Sequence, residues 1–167
     1  MFLAPFIGAL PLAADYSFDS VGARLAFDNS GSIDLRSYEV NAKVETPWEW
    51  DISDDIELEI AIEGSLGAID GEGETAAMAH LGFAANFEFD DFPLELVISS
   101  GPTLLTEDRF NRFDLGSKFQ FTSAMGLDWE VIDDWTLGYR YLHISNAGLG
   151  DPNPGLNMHA VSLLHSF

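Results

Sequence analysis

His143 and Ser145 are two residues apart in the run WTLGYRYLHIS. On a β-strand, side chains at that spacing point to the same face, so an imidazole and a hydroxyl there can approach each other. A serine hydroxyl is a weak nucleophile until a neighbouring base takes its proton, and the base works best when a third group orients it. The chemistry open to such a set is nucleophilic attack by an activated serine. A histidine and a serine alone are a weak signal, since a histidine at an interface often serves as an anchoring polar tip. Their meaning depends on the face they occupy.

The strand around them has two distinct faces. Trp135, Leu137, Tyr139, Tyr141, His143 and Ser145 share one; Thr136, Gly138, Arg140, Leu142, Ile144 and Asn146 share the other. The same period-2 alternation recurs along the chain, and helical periodicity is nearly absent. Strands are expected around Val21 to Phe27, Tyr38 to Trp48, Ile56 to Leu66, Leu81 to Phe89, Leu94 to Ser100, Lys118 to Glu130, Trp135 to Ser145 and Asn157 to Phe167. Connections alternate in length. DISDD, EFDDFP and IDDW are tight; DNSGSID, AIDGEGET, LTEDRFNRFDLGS and NAGLGDPNPG are longer. Short turns at one end and longer loops at the other is the pattern of an outer-membrane barrel, whose smallest form has eight strands. The fold class is therefore all-β: an eight-stranded antiparallel transmembrane β-barrel.

Composition narrows the choice. With 28 acidic against 7 basic residues, the net charge of -21 excludes a nucleic-acid role, because phosphate binding needs clustered cations. The 47% hydrophobic and 13% aromatic content excludes a disordered chain. Without cysteine there is no disulfide framework or thiolate chemistry. No apolar run is long enough for a spanning helix. The longest, Met1 to Ala14, is interrupted by Pro5 and Pro11 and ends in small residues. Residues 1–14, which lack a basic start, read either as an apolar tail or, the preferred reading, as a signal-like segment that has been cut short, and residues 15–167 as one barrel domain.

A soluble lipocalin-type barrel also alternates, with apolar residues inward. The polar face argues for the membrane. It mixes small residues (Gly22, Ala61, Gly82, Ala84, Ala124, Gly126, Gly138) with charged ones (Arg24, Lys43, Glu57, Glu63, Arg140), as a narrow lumen with paired charges would need. Trp129, Trp135 and Tyr139 cluster near a tight-turn end, where rings anchor at the membrane–water interface. Phe167 resembles the terminal aromatic of such barrels.

With Arg140 in the lumen, His143 and Ser145 face lipid near a long loop. On the last strand, Phe167, Leu163, Val161, His159 and Asn157 share the lipid face. A hairpin whose loop centres near residue 150 sets Asn157 opposite His143, so His143, Ser145 and Asn157 form one patch on the outer wall.

The run HISNAGLGDPNPGLN, from His143 to Asn157, resembles the PagL family of lipid A 3-O-deacylases, and FTSAMGLDWEVIDDWTLGYRYLHISNAG, from Phe121 to Gly148, fits the same family. The match is specific over roughly the last third of the chain. The resemblance implies a bacterial outer-membrane barrel that hydrolyses a 3-O-linked hydroxyacyl ester of lipid A in lipopolysaccharide. It casts Ser145 as the nucleophile, His143 as the general base, Asn146 as the oxyanion-hole side chain and the Gly148 N–H as its neighbour. The family's pattern has a glutamate fourteen positions after the histidine, where this chain has Asn157. An asparagine can still accept the imidazole N–H but brings no charge; Asp151, in the adjoining loop, is the substitute acid to look for. No metal or cofactor is required. The partners implied are lipid A and outer-membrane lipids, with a homodimer left open. The competing reading is a non-catalytic barrel with a structural or adhesive role.

Overall fold

The computed structural model describes residues 16–29 and 33–167; the signal-like segment and the centre of the first loop lie outside them. Eight long strands form the wall: β1 (Ser17–Asp28), β2 (Leu35–Ser53), β3 (Ile56–Gly71), β4 (Glu74–Phe89), β5 (Phe92–Leu105), β8 (Phe119–Ile132), β9 (Trp135–Ser145) and β10 (Leu156–Ser166). A small hairpin, β6 (Arg109–Phe110) and β7 (Phe113–Asp114), lies between β5 and β8. Each wall strand pairs antiparallel with its sequence neighbour, and β1 pairs with β10 to close the barrel. All eight expected strands are present. Closure leaves no unpaired edge, the condition for crossing hydrocarbon with strands.

Which face is inside follows from exposure. Val40, Leu66, Leu81 and Phe83 point outward and are more than half exposed, whereas Ala26, Ala61 and Ala84 point inward and are fully buried. A soluble barrel would have the reverse. Trp129, Trp135 and Tyr139 also face outward near the turn end. The lumen is narrow and its cations are paired. Arg140 donates to both carboxylate oxygens of Asp128 at 2.7 and 2.6 Å, Arg24 lies 3.7 Å from Glu39, and Lys43 lies between Asp19 and Glu95. The bidentate pair is buried on both sides. Removing one partner strands a charge in the lumen. Asp128→Ala is therefore expected to lower unfolding stability by about 3–5 kcal/mol, read from urea unfolding in lipid vesicles; an unchanged midpoint would show the pair to be dispensable.

Two details depart from the sequence reading. AIDGEGET is not a long loop, because β3 and β4 run on to Gly71 and Glu74. Only Glu72 and Gly73 remain as the turn, with φ of 55° and 87°, as a tight type I′ hairpin needs. The segment expected as the loop LTEDRFNRFDLGS contains β6 and β7 and folds back on the barrel. Its Phe110 and Leu115 are fully buried in an apolar cluster with Leu35, Ile69, Ile144, Leu156 and Met158. That cluster fills the loop end of the lumen.

Candidate active site

β9 carries Tyr139, Tyr141, His143 and Ser145 outward, alternating with buried Arg140, Leu142 and Ile144. β10 lies beside it with Asn157 opposite His143, as the hairpin centring predicts. His143 Nδ1 and Asn157 Oδ1 are hydrogen-bonded at 2.8 Å. An amide oxygen only accepts, so Nδ1 carries the proton and Nε2 keeps its lone pair. That is the tautomer a general base needs. Ser145 is half-buried, opposite Phe121 of β8. Among the described residues, no hydrogen bond joins its hydroxyl to the imidazole. The two share the outer face at a strand spacing of about 6.6 Å.

The loop after Ser145 is held from inside. Asn146 is fully buried. Its Nδ2 donates to the carbonyls of Leu115 at 2.9 Å and Pro152 at 3.0 Å, and its Oδ1 accepts from Gly148 N–H at 2.9 Å. Both oxyanion donors suggested by the resemblance are thus engaged within the loop, and Asn146 acts as a clip between two loops. Its backbone N–H donates to Asn153 Oδ1 at 3.2 Å. Asp151 is exposed in the same loop and makes no hydrogen bond to His143; Asn157 already holds that position.

Glycines make room for this arrangement. Gly155 has φ +68°, and a Cβ there would lie 2.9 Å from His143 Cε1. Gly116, at φ +73°, lets its segment press against the Pro152 carbonyl, where any Cβ would collide. These positions, and the brace from Leu115, were not among the sequence candidates. The NPG turn was the visible trace of Gly155; nothing local marks Leu115.

The packing around the imidazole and the clip sets two expected results. Gly155→Ala is expected to displace the imidazole from Asn157 and break the Nδ1–H hydrogen bond. The imidazole N–H resonance of the variant in micelles checks it; a resonance unchanged from the wild type means the imidazole does not depend on that space. Asn146→Ala leaves the Leu115 and Pro152 carbonyls without their donor. It is expected to cost about 1–3 kcal/mol of stability. Thermal unfolding in micelles measures this, and an unshifted midpoint would show that the clip is not needed.

A family model described as lipid A 3-O-deacylase (PagL) matches residues 36–166. The lipid A deacylase PagL of Bordetella bronchiseptica is 36% identical over 67 residues, a stretch that covers 40% of this chain and 38% of that protein. Among solved structures, the crystal structure of the outer membrane enzyme PagL is similar with a TM-score of 0.78 at 18% identity, covering 89% of this chain and 99% of that one. The Yersinia pestis outer membrane protein Ail, in a phospholipid bilayer nanodisc, is more distant, with a TM-score of 0.51 at 13% identity over 90% of this chain and 99% of that one. Both likenesses concern the fold of the barrel.

Proposed function

The chain belongs to the PagL family of lipid A 3-O-deacylases, and from that premise we propose that it is an outer-membrane esterase that releases the 3-O-linked hydroxyacyl chain of lipid A. The observation that carries the reading is the His143–Asn157 hydrogen bond on the outward wall, two residues from Ser145. The outward wall is apolar over most of its area, and a base held in one tautomer two residues from a serine is the arrangement that nucleophilic catalysis needs. A substrate that is itself a membrane lipid must be met on the outside of the barrel.

In this mechanism lipid A lies beside β8, β9 and β10 with its acyl chains along the apolar wall. Ser145 Oγ attacks the ester carbonyl carbon while its proton passes to His143 Nε2. The tetrahedral intermediate collapses, the C–O bond to the sugar breaks, and the imidazolium returns the proton to the departing sugar oxygen. Water, deprotonated by the same imidazole, then attacks the acyl-serine ester; the C–Oγ bond breaks, the imidazolium returns the proton to Ser145 Oγ, and the hydroxy fatty acid is freed. Asn157 holds the ring and accepts from Nδ1–H throughout.

The oxyanion needs donors from the loop, each often worth about 2.7–4 kcal/mol. Asn146 spends its N–H groups on two carbonyls, so it serves as a positioning residue. In the loop after Ser145, Asn153, whose Oδ1 accepts from the Asn146 backbone N–H, can offer its side-chain N–H groups. Gly148 N–H joins it if it turns from Asn146 Oδ1.

Incubating the purified protein with lipid A in detergent tests the reading. Release of a free 3-hydroxy fatty acid, with the matching lipid A one chain lighter, is the expected result. No release at any time or detergent concentration would sink it in favour of a structural or adhesive barrel.

A further inference from the structure

His143 has a second cross-strand neighbour besides Asn157. On β8 it faces Ser123, and Ser123 in turn faces Ser100 on β5. Both serines are exposed on the outer wall, and their hydroxyls are hydrogen-bonded to each other at 3.0 Å. Continued around the barrel, the same row becomes Phe83, Ile62 and Val44. The row is therefore polar from Asn157 through His143 and Ser123 to Ser100, and apolar beyond. Along the strands the serine pair is bounded by Phe121 and Pro102 on one side and by Met125 and Ile98 on the other. It is a polar island in an apolar wall, and its polar neighbour is the candidate base.

A hydroxyl facing hydrocarbon is costly unless it has a partner. The two serines meet that cost by bonding each other. A packing role at these positions would be filled as well by alanine or valine, as on the rest of the wall. The distances suit a ligand of the neighbouring site. Ser145 opposes Phe121, so Ser123 lies diagonally across from Ser145, about 7–8 Å away, and Ser100 one strand further. A 3-hydroxyacyl ester carries its hydroxyl two carbons beyond the carbonyl carbon. With the carbonyl at Ser145, a chain running diagonally across β8 in extended form brings that hydroxyl to Ser123, the nearer member of the pair, with Ser100 behind it.

We propose that Ser123 and Ser100 form a subsite for the 3-hydroxyl of the chain being released, so that the enzyme selects hydroxylated over unhydroxylated acyl esters. The inference rests on the deacylase reading above. On binding, the substrate hydroxyl donates to Ser123 Oγ, which keeps its hydrogen bond to Ser100, so no hydroxyl is left without a partner.

The test compares kcat/KM for lipid A bearing 3-hydroxytetradecanoyl and for lipid A bearing plain tetradecanoyl at the cleaved position. The enzymes are the wild type, Ser123→Ala, and the double variant Ser123→Ala/Ser100→Ala. Heat-modifiable migration confirms that each variant folds. The wild type is expected to prefer the hydroxylated ester about tenfold, the worth of a good hydrogen bond. That preference is expected to shrink in the single variant and fall to about one in the double variant. A preference that stays the same in all three enzymes, including one in which both rates drop together, overturns the subsite while leaving the deacylase reading intact. Failure of the wild type to cleave either ester overturns the deacylase reading, and the subsite falls with it.

Discussion

Ser145→Ala is expected to reduce release of the hydroxyacyl chain by about a thousandfold or more while leaving the barrel folded. The size follows from the chemistry: without a nucleophile the base has nothing to activate, and loss of one member of a serine triad typically removes nearly all of its contribution. The fold should not respond, because the Ser145 hydroxyl is half-buried and makes no hydrogen bond among the described residues. Alanine also suits the end of a strand whose pairing is made by its backbone. Steady-state release of fatty acid measures the first part, and heat-modifiable migration the second. A variant retaining a tenth of the activity would mean that another group attacks the ester.

The second large effect concerns Asn157. Here it accepts from His143 Nδ1 at 2.8 Å and so fixes the ring, but as a neutral amide it brings no charge to the imidazolium that the proposed mechanism requires. Asn157→Asp keeps the side-chain length and the acceptor while adding that charge. It is expected to raise kcat about tenfold, since a charge-assisted hydrogen bond is roughly twice as strong as a neutral one. Asn157→Leu keeps the bulk and removes the acceptor. The ring then loses its tautomer preference and orientation, and kcat is expected to fall on the order of a hundredfold. The stability cost of the new carboxylate is small at the interface end of a strand, about 0–1 kcal/mol. Measuring both variants beside the wild type at one pH and salt concentration decides the matter. Equal rates for the wild type, Asn157→Asp and Asn157→Leu would show that the ring needs no partner here.

Much of this was legible in the chain itself. Alternation located all eight strands, because lipid and lumen impose opposite demands on neighbouring residues. The pairing of His143 with Asn157 came from hairpin arithmetic alone, since register in a hairpin is set by its centre. Strand ends were harder. β4 begins at Glu74, seven residues before its apolar pattern becomes clear at Leu81, because in that stretch Ala76 and Met78 turn inward into the loop-end cluster, where a residue as small as Ala76 suffices. The inward turn of Asn146 was also hidden. It depends on Leu115 and Pro152, carbonyls brought close by two loops far apart in sequence. Likewise, Phe110 and Leu115 resembled ordinary loop apolar residues until β6 and β7 folded them into the mouth.

On the proposed deacylase reading, the His and Ser on an outward-facing strand acquire their sense from the membrane: the wall that meets lipid is the wall that would meet substrate. The most direct test is the mass spectrum of lipid A extracted from cells producing the wild-type chain and from cells producing Ser145→Ala at matched outer-membrane levels. Lipid A from the wild type is expected to be lighter by one 3-hydroxyacyl unit, and lipid A from the variant to keep it. Identical spectra, or the same loss in both, would contradict a deacylase that works through Ser145.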